Sequence, residues 1–306
     1  MNLIRLAGVA LALTACCFLS AQAPPDDAYG ESLRAWIKVN LYDGTFNDQG
    51  YSPIREAMYS YIDEQNDSIE CIYSGFKQLA EFTTFPNPIN AEHIIPQSWF
   101  GSASPMRSDV FNLRPSHQSA NSSRANYPFG EVDDANATWY GVEDNMYFST
   151  TTEPVASAEF SERFGSLWEP RESKKGDVAR QVFYFYTMYP TQAGPFENIG
   201  DIIVLYNWHL NDPVDAQEIQ RNSRAEEIQG NRNPYVDQPD WVYLAWIYTP
   251  VYGCVYETAT NYNPLADLDD GTCVFAPACL EDLSGDGVIN TPDLLILMAA
   301  FGNLCE

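Results

Sequence analysis

Apolar residues recur at helical spacing in two stretches early in the chain. The first is Leu33, Trp36, Ile37 and Leu41; the second, after Ser52-Pro53, is Ile54, Met58, Tyr61 and Ile62. Steps of three and four place each set on one face, and Ser followed by Pro supplies a cap and a preset first turn, so two helices are predicted there. Later, residues 177–189 form a helical stretch that stops at Pro190. Residues 198–210 are apolar on most sides and are expected to be buried. Asp212-Pro213 opens an amphipathic stretch that ends at Gly230. Short β-like runs are read at 71–74, 93–95 and 110–113. Together these predict an α+β domain with many helices and little sheet.

The N-terminus has another pattern. Arg5 precedes an apolar run over residues 6–19, followed by Ala21-Gln22-Ala23 and two prolines. This is read as a signal peptide over 1–23, cleaved after Ala23. The run is shorter than the roughly 18 apolar residues a membrane span needs, and no later stretch is long enough, so a soluble secreted protein with no membrane span is expected. Leu13-Thr14-Ala15-Cys16 offers a second reading, a lipoprotein anchored at Cys16, ranked lower because the apolar run continues past Cys17.

Five cysteines remain after cleavage, four of them in the last 53 residues. An oxidising compartment favours local pairing, Cys254 with Cys273 and Cys279 with Cys305, leaving Cys71 as a buried free thiol, although those four cysteines allow three pairings. Charge breaks at the same place. Arg232 is the last basic residue, and residues 251–306 hold nine acids and no Lys or Arg. The expected organisation is a large domain over 24–250, a two-cysteine module over 251–275 and a small acidic module over 276–306.

The whole chain of 306 residues sets 42 Asp and Glu against 16 Lys and Arg, a net charge of −26, while 45% hydrophobic and 14% aromatic content suffices for a real core. Wholesale disorder is excluded, and so is coating nucleic acid by bulk charge. Residues 93–130 reverse the sign locally, with Arg107, Arg114 and Arg124 against Asp109 alone. A polyanion can dock there, and residues 163–180, with five basic residues against three acids, could flank the same groove.

Inside that window stands Glu92-His93. Neighbours on a strand point to opposite faces, so one can hold a metal while the other handles a proton. His93, unperturbed near ~6.5, suits a general base in neutral water. His117, a turn before Asn121, could touch a docked polyanion but is better read as an exposed, uninvolved residue. His209 is read as a satisfied core histidine.

The wider pattern resembles the endonuclease I family of secreted and periplasmic nucleases, within the ββα-metal (His-Me finger) superfamily. The resemblance rests on Glu92-His93-Ile94-Ile95-Pro96-Gln97-Ser98-Trp99-Phe100, on Ser108-Asp109 with Asn112-Leu113, and on Asn121, Arg124 and Asn126-Tyr127-Pro128-Phe129-Gly130-Glu131. Gly176-Asp177-Val178-Ala179-Arg180, Trp208-His209-Leu210 and Gly230-Asn231-Arg232-Asn233-Pro234-Tyr235-Val236 continue it in order. The resemblance implies a ββα-metal finger embedded in a helix-rich nuclease domain. It also implies His93 as general base, Glu92 and Asn121 as ligands of one Mg²⁺ (Mn²⁺ or Ca²⁺ being admissible), and Arg107 steadying the phosphate. Arg114, Arg124 and Asn126 are then expected on the substrate.

In the tail, residues 282–293 resemble the calcium loop of a dockerin repeat. Asp282, Ser284, Asp286, Asn290 and Asp293 supply side-chain oxygens and Val288 a backbone carbonyl, with an apolar helix following. One repeat stands where two are usual, so a cohesin partner is not expected. The reading that results is a monomeric secreted hydrolase: a metal-dependent, largely sequence-nonspecific endonuclease acting on DNA, with RNA admissible. The alternative is a catalytically inactive extracellular DNA-binding or matrix protein with the same fold.

Overall fold

The structure, a computed structural model, describes residues 23–81, 87–275 and 281–302. The chain divides into two compact units, the first closing at Tyr248 and the second opening at Thr249.

The first unit begins with α1 (Gly30–Leu41), which buries Leu33 and Ile37. The second helix, α2 (Tyr51–Ala57), buries Ile54 and runs into a π-turn that buries Met58, Tyr59 and Ile62. Both follow the apolar spacing. Three short antiparallel strands come next, β1 (Glu64–Gln65), β2 (Ser68–Glu70) and β3 (Lys77–Leu79). Then β4 (Ile89–His93) pairs antiparallel with β5 (Leu113–His117), with Glu92 opposite Arg114 and His93 opposite Leu113. The helix α3 (Gln118–Arg124) leaves β5 without a gap.

A four-stranded antiparallel sheet follows, made of β6 (Thr138–Glu143), β7 (Met146–Thr150), β8 (Ser161–Phe164) and β9 (Leu167–Glu169) in the order β7-β6-β8-β9. The unit's centre is α4 (Lys175–Met188), buried along its whole length and packed against α1 and α5 (Ile202–Asn211). Last come α6 (Ala216–Gln229), capped by Asp215 and ended by Gly230 with φ of 87°, and the short α7 (Pro234–Asp237). Trp139, Trp168, Trp208 and, among the described residues, fourteen buried Tyr and Phe side chains fill the interior.

Several elements depart from the sequence pattern for local reasons. The run at 93–95 leaves the strand at His93, because the Asn112 side chain takes the Ile95 amide at 2.8 Å and the Asn112 carbonyl takes the Ile94 amide at 3.0 Å. Residues 71–74 form a turn closed by the Gly75 amide on the Cys71 carbonyl, and the strand lies earlier, at Ser68–Glu70. Asp109 caps a 3-10 turn over Val110–Asn112, so the expected strand begins only at Leu113. The stretch expected to be buried over 198–210 starts as helix at Ile202, where Asp201 caps it, and Ile203 and Leu210 face solvent.

The second unit pairs β10 (Tyr252–Gly253) with β11 (Leu268–Asp269) in parallel and is stapled by a Cys254–Cys273 disulfide. It ends in α8 (Thr291–Ala300). Cys71 is free and buried in the first unit. The Cys279–Cys305 pairing and the segment read as a signal peptide lie outside the described residues, apart from Ala23. Among the described residues no helix is long and apolar enough to cross a membrane.

Candidate active site

Strand β4, the turn after it at 96–98, α3 and α2 line an open cleft of about 610 Å³, with Tyr51, Arg55, Glu92, His93, Asn121 and Asn126 among its lining residues. Three of these come from elements whose placement is local: Glu92 and His93 end β4, and Asn121 sits one turn into α3, which β5 feeds directly. Antiparallel pairing therefore closes the gap of 28 residues between His93 and Asn121.

His93 is buried except for its face on the cleft. Its Nε2 lies 3.1 Å from the Arg107 carbonyl. A carbonyl can only accept, so Nε2 carries the hydrogen and Nδ1 keeps its lone pair. Burial, and then the positive charges of Arg107, Arg124 and Arg55, push the imidazole down to about 4, although the Arg107 carbonyl pulls the other way. The ordinary value near ~6.5 expected from the sequence is thus corrected. The imidazole is neutral, and able to accept a proton, throughout the neutral range.

Glu92 is also buried. Its Oε1 accepts from the Tyr73 hydroxyl at 2.8 Å and lies 3.3 Å from Arg124 Nη1. Burial raises the carboxyl to about 7 despite the opposing Arg124 charge. Asn121 donates through Nδ2 to Asn90 Oδ1 at 2.8 Å and to the Ala91 carbonyl at 3.3 Å. With its nitrogen fixed in this way, the amide offers its oxygen to a further partner. A buried carboxylate and a free amide oxygen on one cleft form a hard, oxygen-only donor set, which fits Mg²⁺ or Mn²⁺ and not a soft metal.

The arginines separate into three environments. Arg107 packs its guanidinium 4.3 Å from the Tyr51 ring centre. Arg124 lines the cleft but spends its donors on the His93 and Ile94 carbonyls and on Glu92, with its side chain 1% exposed, so it orients the site from beneath. Arg114, expected on the substrate, is placed elsewhere: its guanidinium bridges Asp63 at 3.2 Å and Asp177 at 2.6 Å inside a buried ion network that also holds Arg221. Burying a guanidinium requires such carboxylates, and these two leave it little to offer a phosphate. Asn126 is exposed on the cleft wall.

His117 is neither exposed nor on the cleft. It stacks on Tyr147 at 4.1 Å and accepts the Ser119 amide at the start of α3, which makes it a cap. His209 is the buried histidine its apolar helix suggested, with Nδ1 3.3 Å from Arg180 Nη1. Sequence reasoning missed Tyr51, Arg55 and Tyr73. None carries a sequence signal of its own, because each reaches the site through tertiary contact alone.

In the second unit, carboxylate oxygens of Asp282, Asp286 and Asp293 lie within 4.8 Å of one another. Asp282 accepts the Gly285, Asp286 and Gly287 amides, and Asp293 those of Ser284 and Asn290, which curls residues 282–293 into one loop. Val288 and Asn290 close it through Asp286.

Comparison with known proteins matches residues 30–240 to the family described as Endonuclease I. An extracellular ribonuclease of Bacillus amyloliquefaciens is 32% identical over 173 residues, covering 51% of this chain and 53% of that protein. One from Bacillus subtilis is 32% identical over the same length, covering 51% and 54%. An extracellular deoxyribonuclease of Aeromonas hydrophila is 25% identical over 190 residues, covering 56% and 74%. The matched part of the chain thus spans about half the length of the two ribonucleases.

Proposed function

The chain belongs to the endonuclease I family, and from that premise we propose that it is a secreted endonuclease that hydrolyses phosphodiester bonds of DNA or RNA with a general base and one divalent cation. The observation that carries the reading is the His93 tautomer: Nε2 is tied to the Arg107 carbonyl, and the free Nδ1 shares a cleft with Glu92 and Asn121.

Glu92 and Asn121 would hold Mg²⁺, with Mn²⁺ or Ca²⁺ admissible. When bound, such an ion withdraws charge from a phosphate oxygen and stabilises the leaving oxygen. The protein's own residues do the rest. His93 Nδ1 takes the proton from an attacking water, and the Nε2 contact keeps the ring from turning as it becomes a cation. Arg107 meets a non-bridging phosphate oxygen. Arg124 and Tyr73 hold the Glu92 carboxylate in place, and Asn126 meets the backbone at the cleft wall. These groups recognise backbone and phosphate, which supports cleavage spread over many sequences and weakened by salt. The relatives' names cover both ribonucleases and deoxyribonucleases, and both nucleic acids are candidate substrates. Their extracellular labels support the secreted location.

The tail reading is a calcium module. Asp282, Ser284, Asp286, Asn290 and Asp293, with the Val288 carbonyl, would surround Ca²⁺, and the gathered carboxylates of Asp282, Asp286 and Asp293 support it. Dockerin-like form is part of this proposal.

The test is incubation of the full chain with plasmid DNA and with RNA, with Mg²⁺ or a chelator, beside His93→Ala. Cleavage that needs the cation and falls about 10²–10⁴-fold in His93→Ala is expected. Intact substrate under every condition would remove the enzyme reading and favour a binding protein.

A further inference from the structure

Tyr51 opens α2 on the cleft, directly after Gly50, whose φ of 78° permits the turn that brings it there. Its ring lies against three groups: His93, Arg107 and Arg55, whose guanidinium sits 5.1 Å from the ring centre on the same helix. The His93 imidazole stacks on it at 5.6 Å with 24° between the planes, and Phe100 meets the imidazole edge-on at 6.3 Å. The Arg107 guanidinium lies 4.3 Å from the Tyr51 ring centre. The turn carrying Tyr51 is clipped to the segment carrying Arg107, since Asp48 Oδ1 accepts both the Gly50 amide at 2.8 Å and the Ser108 hydroxyl.

The arginine gives this arrangement its meaning. Among the described residues Arg107 has no carboxylate partner, and its Nε is buried without a hydrogen bond. A carboxylate would fix the guanidinium but cancel its charge and occupy its donors. An aromatic face holds a guanidinium through cation–π attraction and stacking while leaving the in-plane donors free. The same plate limits the swing of the imidazole, whose ring is otherwise tied, among the described residues, by the hydrogen bond to the Arg107 carbonyl.

We propose that Tyr51 is a positioning residue, a cleft-wall ring that holds the His93 imidazole on the cleft in register with the Arg107 guanidinium beside it. The proposal deepens the nuclease reading and rests on it. Its working part is the ring face and not the hydroxyl, so Tyr51→Phe should behave as the parent. Tyr51→Leu, or Tyr51→Met should the first fold poorly, keeps an apolar side chain of similar bulk without a plate.

In cleavage assays on plasmid DNA and on RNA with Mg²⁺, these ring-less variants should lose on the order of 10- to 10²-fold in kcat, the scale of a small misplacement of reacting groups. KM should change little. Added to Arg107→Ala, Tyr51→Leu should cost less than it does alone, because part of its effect runs through the arginine. Independently of activity, the His93 ring resonances of the metal-free full chain should shift in Tyr51→Leu and stay in place in Tyr51→Phe. Full additivity with Arg107→Ala, a loss in Tyr51→Phe equal to that in Tyr51→Leu, or unmoved His93 resonances would each overturn the proposal. If the parent cleaves nothing while the resonances move as expected, the nuclease reading fails and the positioning of His93 stands.

Discussion

Arg124 shows how a residue can matter to the site without touching substrate. Its guanidinium neutralises the buried Glu92 carboxylate and caps the carbonyls of His93 and Ile94, where β4 ends. Removing it leaves Glu92 buried against Tyr73 with no cation beside it. Breaking a buried pair from one side typically costs roughly 3–5 kcal/mol. Arg124→Ala should therefore lower the unfolding free energy by an amount of that order in urea titration, and Glu92→Gln in the same background should return part of it by removing the stranded charge. A loss below about 1 kcal/mol would mean that Arg124 is a phosphate contact, one of the two roles, structural or phosphate-binding, that the sequence admits. Glu92→Gln in the parent separates ligand from base: activity should fall and recover partly at high Mg²⁺, whereas His93→Ala should not recover, because no ligand was lost. Cleavage rates across a Mg²⁺ titration check this.

At the scale of elements, the pairing of α4 with α5 makes a prediction about pH. His209 on α5 is pushed down to about 4, first by burial and then by the Arg180 charge from α4. The unfolded chain binds that proton near the ordinary value, ~6.5, and the folded chain only near 4. The contribution of a neutral His209 is thus fully present above about 6.5 and is lost as pH falls through 4. Urea midpoints should drop across that window, and His209→Gln should flatten the drop. The four-stranded sheet carries the opposite sign. Glu162 and Glu169 face each other across β8 and β9, and burial, then the Glu169 charge, raises Glu162 to about 8. Its contribution is complete below about 4.5 and is lost as pH rises through 8, so Glu162→Gln should stabilise the protein most at alkaline pH.

The two units make the prediction that belongs to the molecule as a whole. All the cleft residues lie before Tyr248, and the loop of Asp282, Asp286 and Asp293 lies after Thr249. A chain ending at Tyr248 should keep the cleavage activity of the parent. Asp282→Ala in the full chain should abolish any protection of residues 249–306 from protease by Ca²⁺ while leaving cleavage unchanged. Limited proteolysis with and without Ca²⁺, beside the plasmid assay, reads both. Loss of activity in the shortened chain would mean that the second unit completes the catalytic one.

Much of this was legible in the chain itself, because it depends on neighbours in sequence. Apolar spacing gave α1, α2 and the reach of α4, and Gly230 the end of α6. The order of blocks around Glu92-His93 and Asn121 pointed to the family, since these candidate site residues sit close together at the end of one strand and on one helix. The sheet of β6 to β9 could also have been read, from the Asp144-Asn145 pair whose positive φ of 49° and 57° makes a tight hairpin. What only the tertiary structure decided was how charges and rings were shared out. Arg107, Arg114 and Arg124 look alike in sequence, yet one lies on a tyrosine ring, one is locked between Asp63 and Asp177, and one sits beneath Glu92. Burial fixes these roles, because a desolvated guanidinium must find partners and the partners come from residues as much as 63 positions away, as with Asp177 and Arg114. The same burial moves His93 well below its ordinary range and Glu92 well above it, shifts that no pattern along the chain contains.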